Sequence, residues 1–495
     1  MRTQIPVVAG LVLALGACSG RSSDPDVIAQ SQLTSAEVTP AQPAAKVNAK
    51  SFAFPLKLSS NRRYLADQNG KPFRIIGDSA QSLIANLTYA EAEEYLSKRQ
   101  AQGFNAINVN LIEHKFALKA PANRRGDVPF LKADDFSTPN DAYFAFADSI
   151  IDLAASKGLL VSLAPMYLGY DGGDEGWWKA LTNGVNTREV CYRFGRYIGE
   201  RYRGKENILW VIGGDYLPPG GSEGEARLHS FLEGIKAAGA KQLWAGDWNA
   251  PCISTTERAF ADLMDVNAVY TDQSQTKRGA AYEEAEVAYQ DRPVRPAYLK
   301  ETGYEDEGWT PGDRTSVREY EYTAILGGAT SGGFFGNRDI WEFATSNWWS
   351  GFKFGHRRWQ ESLDTPGAAD MVRMGQLLDS VAWYDLVPSG LDGTKRLITG
   401  GGGTEGQPGY IVAAASREGR ALLAYVPARR AQSGSFSVDM TALRGPTRGE
   451  WFDPSSAEYK KIPGGPFANS KARDFKIPGK NAAGATDWVL VLRAD

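Results

Sequence analysis

Short runs of β-branched and aliphatic residues alternate with stretches of 3.6-residue apolar periodicity along most of the chain. The β-type runs fall at 74–78, 106–112, 159–165, 208–215, 242–247, 268–271, 295–301 and 328–336. Between them, helical periodicity covers 89–100, 143–156, 188–203, 225–238 and 316–327. Eight consecutive β/α units predict a closed parallel (β/α)8 barrel over 54–385. An open doubly wound sheet usually stops at fewer strands. A hairpin of 57–66 and 73–76 precedes the first unit, around Asp67-Gln68-Asn69-Gly70, where Asn-Gly supplies the positive φ of a tight turn. Beyond 385 helical periodicity stops, and Gly-rich turns separate runs at 410–415, 421–426, 435–440 and 488–492. The segment 386–495 therefore reads as a small antiparallel β-sandwich.

The N-terminus breaks this pattern. Arg2, the apolar run from Ile5 to Leu15 and the small-residue site Leu15-Gly16-Ala17-Cys18 make 1–18 a signal peptide too short to span a bilayer. Leu-Gly-Ala-Cys resembles a bacterial lipobox, which implies cleavage before Cys18, lipidation of its thiol and a membrane-tethered mature chain. Ser19, where Asp would signal inner-membrane retention, turns the expectation toward the outer membrane, facing the periplasm or the cell surface. Residues 19–53 are rich in Ser, Ala, Pro, Gln and Thr and read as a flexible tether.

Composition narrows the chemistry. A net charge of -3 without a long basic stretch argues against nucleic acid as a partner. No GxGxxG follows the first strand, which takes from the dinucleotide-binding reading its main support. Apart from Cys18 only Cys191 and Cys252 remain, so there is no disulfide framework and no CxxC metal signature; two buried free thiols are expected. Three histidines without an HExxH exclude that kind of zinc chemistry, and Asp171, Asp174 and Glu175 lack EF-hand spacing, so no metal and no cofactor is expected. A monomer is the expected state.

In such a barrel the reactive groups sit at the C-terminal ends of the strands. Asp215 ends the fourth β-run and Glu301 the seventh, on opposite sides of the mouth, where two carboxylates can flank a glycosidic bond. Gly213-Gly214 before Asp215 permits a close backbone approach or an unusual bend. Asp78, Asn108, Asn110, His114, Tyr167, Trp248, Asp272, Asn337 and Trp341 are further polar or aromatic strand-end residues, expected to bind substrate. Asp247 shares Trp248's strand end, and Trp177-Trp178 are expected to shape a substrate wall.

Gly77-Asp78-Ser79-Ala80, the stretch from Gly103 to His114, Asn207-Ile208-Leu209-Trp210-Val211-Ile212-Gly213-Gly214-Asp215, and Lys300-Glu301-Thr302-Gly303-Tyr304-Glu305 resemble the apiosidase-like glycoside hydrolases of family 140. Trp451-Phe452-Asp453-Pro454 resembles a motif in the C-terminal sandwich of such proteins, a domain labelled collagen-binding. The resemblance implies that Asp215 is the acid/base and Glu301 the nucleophile of a retaining mechanism, with the carboxyl groups about 5–5.5 Å apart. It implies exo-action on a branch sugar of a plant cell-wall polysaccharide, first of all β-linked apiose of the pectin rhamnogalacturonan II. Gln81 stands where the family pattern has Trp, and Gly336-Asn337-Arg338-Asp339 replaces a more Gly/His-like stretch, which directs the expectation also to other furanosides and branched glycans. The alternatives are a non-catalytic glycan-binding lipoprotein, opposed by the intact carboxylates, and an endo-acting glycanase, which differs in cleft shape.

Overall fold

The computed structural model describes residues 52–271, 281–307, 314–348, 357–428 and 434–494. Eight parallel strands form the expected barrel: β1 (Ile75–Ser79), β2 (Ala106–Asn110), β3 (Leu160–Ala164), β4 (Ile208–Gly213), β5 (Trp244–Asp247), β6 (Asn267–Tyr270), β7 (Ala297–Glu301) and β8 (Gly332–Phe335). They lie in the order β5-β4-β3-β2-β1-β8-β7-β6, with β8 paired to β1. Both faces of these strands are covered, which is why β4 reads as the unbroken apolar run Ile-Leu-Trp-Val-Ile. Helices α1 (Tyr89–Gln102), α2 (Asp141–Ser156), α3 (Arg188–Tyr202) and α4 (Glu223–Ala237) begin at side-chain caps from Thr88, Asn140, Thr187 and Ser222. After them come α5 (Ala281–Gln290), α6 (Arg314–Gly327) and α7 (Pro366–Asp379).

Among the described residues no ladder joins β5 to β6. Near the start of the seam, Asp265 N and Val266 N bond Trp244 O at 2.9 and 3.1 Å; further along, one hydroxyl bridges it. Ser254, which follows a two-residue strand (Cys252–Ile253) antiparallel to β6, accepts bonds from the amides of Gly246 at 2.8 Å and Ala268 at 2.7 Å and donates to Gly246 O at 2.9 Å. At the other end of the barrel, the expected turn at Asp67–Gly70 lies between Leu65–Ala66 and Pro72–Phe73. Leu65 and Phe73 join Ile75, Ala106, Leu209, Tyr298 and Phe334 in the barrel interior, so this hairpin plugs the N-terminal end.

The sandwich has a six-stranded antiparallel sheet whose central strands are Val412–Ser416, Ala421–Val426 and Trp488–Ala494, and a three-stranded sheet of Ile398–Gly400, Ser435–Asp439 and Ala472–Lys476. The larger sheet is covered twice. Leu422 and Ala424 face Phe436 and Phe475 of the small sheet, whereas Leu423 and Tyr425 pack with Tyr322 of α6 and Met371 of α7. At this contact Arg318 of α6 bonds Asp487 through Nε at 2.6 Å and Nη2 at 2.9 Å, and Asp370 through Nη1 at 2.6 Å, all three buried. Cys191 and Cys252 are buried free thiols.

Candidate active site

The Gly-Gly pair at the end of β4 is dictated by two close approaches. Gly213, Gly214 and Asp215 all have positive φ, at 106°, 107° and 49°. A Cβ on Gly213 would lie 2.0 Å from Asp247 O, and one on Gly214 would lie 2.2 Å from the Tyr167 ring. The glycines let the chain turn tightly over β5 and deliver Asp215 to the mouth in a left-handed conformation that costs a non-glycine residue about 1 kcal/mol or more. The hydroxyl of Tyr167, in the loop after β3, donates to Asp215 Oδ2 at 2.8 Å, and Tyr270 at the end of β6 bonds the same carboxyl.

Glu301 arrives by a different device. The β6–β7 register pairs Val269 with Leu299 and then Tyr270 with Glu301, leaving Lys300 as an extra residue. This bulge breaks the period-2 alternation, so that Lys300 and Glu301 both reach the same charge cluster. Lys300 Nζ contacts Glu301 Oε2 at 2.6 Å and Asp247 Oδ2 at 2.5 Å, all three being buried. Tyr304 donates its hydroxyl to Glu301 Oε1 at 2.8 Å, and Gln81 Nε2 donates to the Tyr304 oxygen at 3.1 Å. Glu307 accepts the Tyr304 amide at 2.8 Å.

Lys300 thus meets two carboxyls directly, and the proton affinities of Asp215, Asp247 and Glu307 around it are raised. Burial, then the charges of Glu301 and Asp247, push Asp215 up to about 7 against the pull of Lys300 and Tyr167. Burial lifts Asp247 to about 6, and burial with the Glu301 and Asp215 charges lifts Glu307 to about 7. Burial opposes the Lys300 ammonium, yet the adjacent Asp247 and Glu301 outweigh it and hold its pKa above the usual lysine value. Lys300 thus touches Glu301 and Asp247 but not Asp215, whose proton affinity burial and its acidic neighbours bring up to about 7. One proton donor and one carboxylate nucleophile are what glycosidic cleavage requires.

Asn108, Asn110 and Tyr167 line a small cavity with Gly213, Gly214, Lys300 and Glu301, so these three expected residues gather at the carboxylates. The half-buried His114 bonds Asp174 O through Nδ1 at 3.0 Å and stands edge-on to Trp177, linking the loops after β2 and β3. Trp341 stands edge-on to Phe116 at the rim. Others take structural places. Asp78 points outward from β1 and receives Tyr95 OH at 2.5 Å and Arg99 Nε at 2.6 Å, fully buried against α1. Trp248 is fully buried, stacked on Phe260 with Nε1 bonded to Ser254 O. Asn337 caps the short helix Arg338–Trp341 and bonds Glu305, again fully buried. Trp177 is core, packed on Phe130, so only its neighbour Trp178, in contact with Tyr216, remains part-exposed. In the acidic loop, Asp174 and Glu175 pair with Lys179 and Lys115. Asp272 and Cys18 lie outside the described residues.

Lys300, Tyr270 and Glu307 were invisible as site residues in the pattern of the sequence. For Lys300 the signal existed: a lysine in a strand buried on both faces needs a carboxylate partner. Its direction depended on a bulge that alternation does not reveal.

The family model described as "Apiosidase-like, catalytic domain" matches residues 59–385, and that described as "Putative collagen-binding domain of a collagenase" matches 396–493. No curated protein matches the chain. Among solved structures, a glycoside hydrolase is 22% identical with a TM-score of 0.75, covering 90% of this chain and 99% of its own. A glycoside hydrolase family 5 protein from Bacteroides vulgatus ATCC 8482 is 21% identical with a TM-score of 0.74, covering 89% of this chain and 93% of its own. At such identities the likeness speaks for the fold. The family model, which spans more than half the chain and includes both carboxylates, speaks for more: the chain belongs to the apiosidase-like family and is a glycosidase.

Proposed function

We propose that the protein is a retaining exo-glycosidase that removes a branch sugar from a plant cell-wall polysaccharide, with Asp215 as acid/base and Glu301 as nucleophile. The observation that supports it best is the pair of carboxyls at the barrel mouth, Asp215 raised to about 7 and Glu301 in direct contact with the Lys300 ammonium. Asp215 donates its proton to the leaving oxygen while Glu301 Oε attacks the anomeric carbon; the C–O bond breaks and a glycosyl ester forms. Asp215, now a carboxylate, takes a proton from water, whose oxygen displaces Glu301 with the original configuration restored. β-Linked apiose of rhamnogalacturonan II is the first substrate to offer, and the lipobox ending at Cys18 fits work at the outer membrane on fragments delivered from outside.

The test is sugar release from a panel of pectic oligosaccharides, one bearing apiose, by wild type, Asp215→Ala and Glu301→Ala, with the product anomer followed by NMR. Wild type is expected to release one sugar with retained configuration. Glu301→Ala should lose release, and Asp215→Ala should lose about 10²–10⁴-fold except on substrates with an acidic leaving group, which need no protonation. Activity should fall as pH rises through about 7, as Asp215 loses its proton. An inverted product, or release that survives in Glu301→Ala, would sink the assignment.

A further inference from the structure

A second cavity lies at the opposite end of the barrel, where the strands begin. Its volume is about 760 Å³, within the range of sites for small ligands. Arg74, just before β1, sits in its wall with a side chain 4% exposed. Its Nη2 contacts Asp379 Oδ1 and Gly375 O, both at 2.9 Å, while Nε and Nη1 have no partner among the described residues. Buried donors left without acceptors are rare and call for an explanation. A Cβ at Gly375 would lie 3.5 Å from Nη1, so the backbone of that helix packs directly on the guanidinium.

We propose that this cavity is a non-catalytic binding site for an acidic saccharide, a sugar or short oligosaccharide bearing a carboxylate. Charge selects the carboxylate: the lining contains Lys71, Arg74 and Lys157, and its one acidic residue, Asp379, is already paired with Arg74. Aromatic rings select a body with a flat apolar face: Phe52 and Phe54 line it together with Tyr384, which is 39% exposed. The helix ends select hydroxyls. The C-terminal turns of α1 and α2 reach the cavity at Gln100–Gly103 and Ala155–Gly158, and such turns carry partial negative charge on carbonyls that can accept a further hydrogen bond. A bare anion such as phosphate meets repulsion there, whereas a sugar acid offers hydroxyl donors to the carbonyls and its carboxylate to the lysines. The site would hold the chain on an acidic polysaccharide while the mouth works on a branch; that purpose rests on the proposed function, but the binding itself does not.

Calorimetry of the full chain with digalacturonate, galactobiose and inorganic phosphate tests this. Digalacturonate should bind, with galactobiose and phosphate at least about tenfold weaker. The double variant Lys71→Ala/Lys157→Ala, and separately Tyr384→Ala, should weaken it by about tenfold or more while turnover of a small aryl glycoside is unchanged. The proposal is overturned by absence of digalacturonate binding, by equal binding of either control, by affinity that survives both variants, or by affinity that is lost instead in Asp215→Asn. Turnover of the aryl glycoside reads the catalytic assignment separately, so the two fail independently.

Discussion

The molecule buries two clusters in which a cation stands between carboxylates, and they differ in balance. At the contact of barrel and sandwich, Arg318 bridges Asp370 and Asp487, Arg373 adds a second cation to Asp370 at 2.6 Å, and Asn481 and Tyr425 donate to Asp487. Two positive charges meet two negative ones, and the planar guanidinium satisfies both partners at once. At the mouth, among the described residues, Lys300 faces Asp247, Glu301 and Asp215, and Glu307 adds a fourth carboxyl beside Glu301 and Asp215. The first cluster has nothing left to react. The surplus of carboxyls in the second makes full ionisation costly, and under the proposed mechanism that surplus keeps Asp215 available as an acid.

Breaking the balanced cluster should have the largest effect. Arg318→Met leaves two buried aspartates short of a partner and is expected to cost about 3–5 kcal/mol in urea unfolding, while the molecules still folded keep their activity. Lys300→Met should act mainly on rate. Loss of the ammonium beside Glu301 is expected to lower kcat by about 10²–10³-fold and to move the alkaline limb of the pH profile upward, because Lys300 now holds the Asp215 pKa down.

Glu321 sharpens the comparison as a carboxyl with no cation beside it among the described residues. It is buried between α6 and β8, both oxygens lack a partner among the described residues, and burial pushes it up to about 8. Because this lies above the ordinary 4.5, stability is full below about pH 4.5 and is lost as pH rises through about 8. Glu321→Met should therefore raise stability by about 1–3 kcal/mol at pH 8–9, read by thermal melts, with the gain shrinking toward pH 4.5. The smallest effect belongs to Asp247→Asn: with one repelling charge gone, Asp215 should titrate lower, moving the alkaline limb down by of order 1 pH unit.

The eight barrel strands were legible because parallel strands covered on both faces read as apolar runs, and their ends named Asp215 and Glu301. Reading stopped where direction mattered. Asp78 closes a strand in which Ile75, Gly77 and Ser79 alternate with it, so the pleat turns Asp78 to α1 and Arg99. Trp248 and Asn337 lie just past strand ends, where the chain is free to fold back, and both do so. Lys300 needed the bulge, and Gln81 needed Tyr304, which lies 223 positions away in sequence. These are tertiary facts with no local period to announce them.

The closure at Ser254 gives the barrel a property its ladders do not have. Strands joined by many bonds separate step by step, but β5 and β6 are held at Gly246 and Ala268 by one oxygen, and its three bonds share a single torsion. Rotating χ1 of that serine releases both amides together. Hydrogen exchange should therefore find Gly246 and Ala268 opening as one cooperative unit, next to Asp247 of the candidate site.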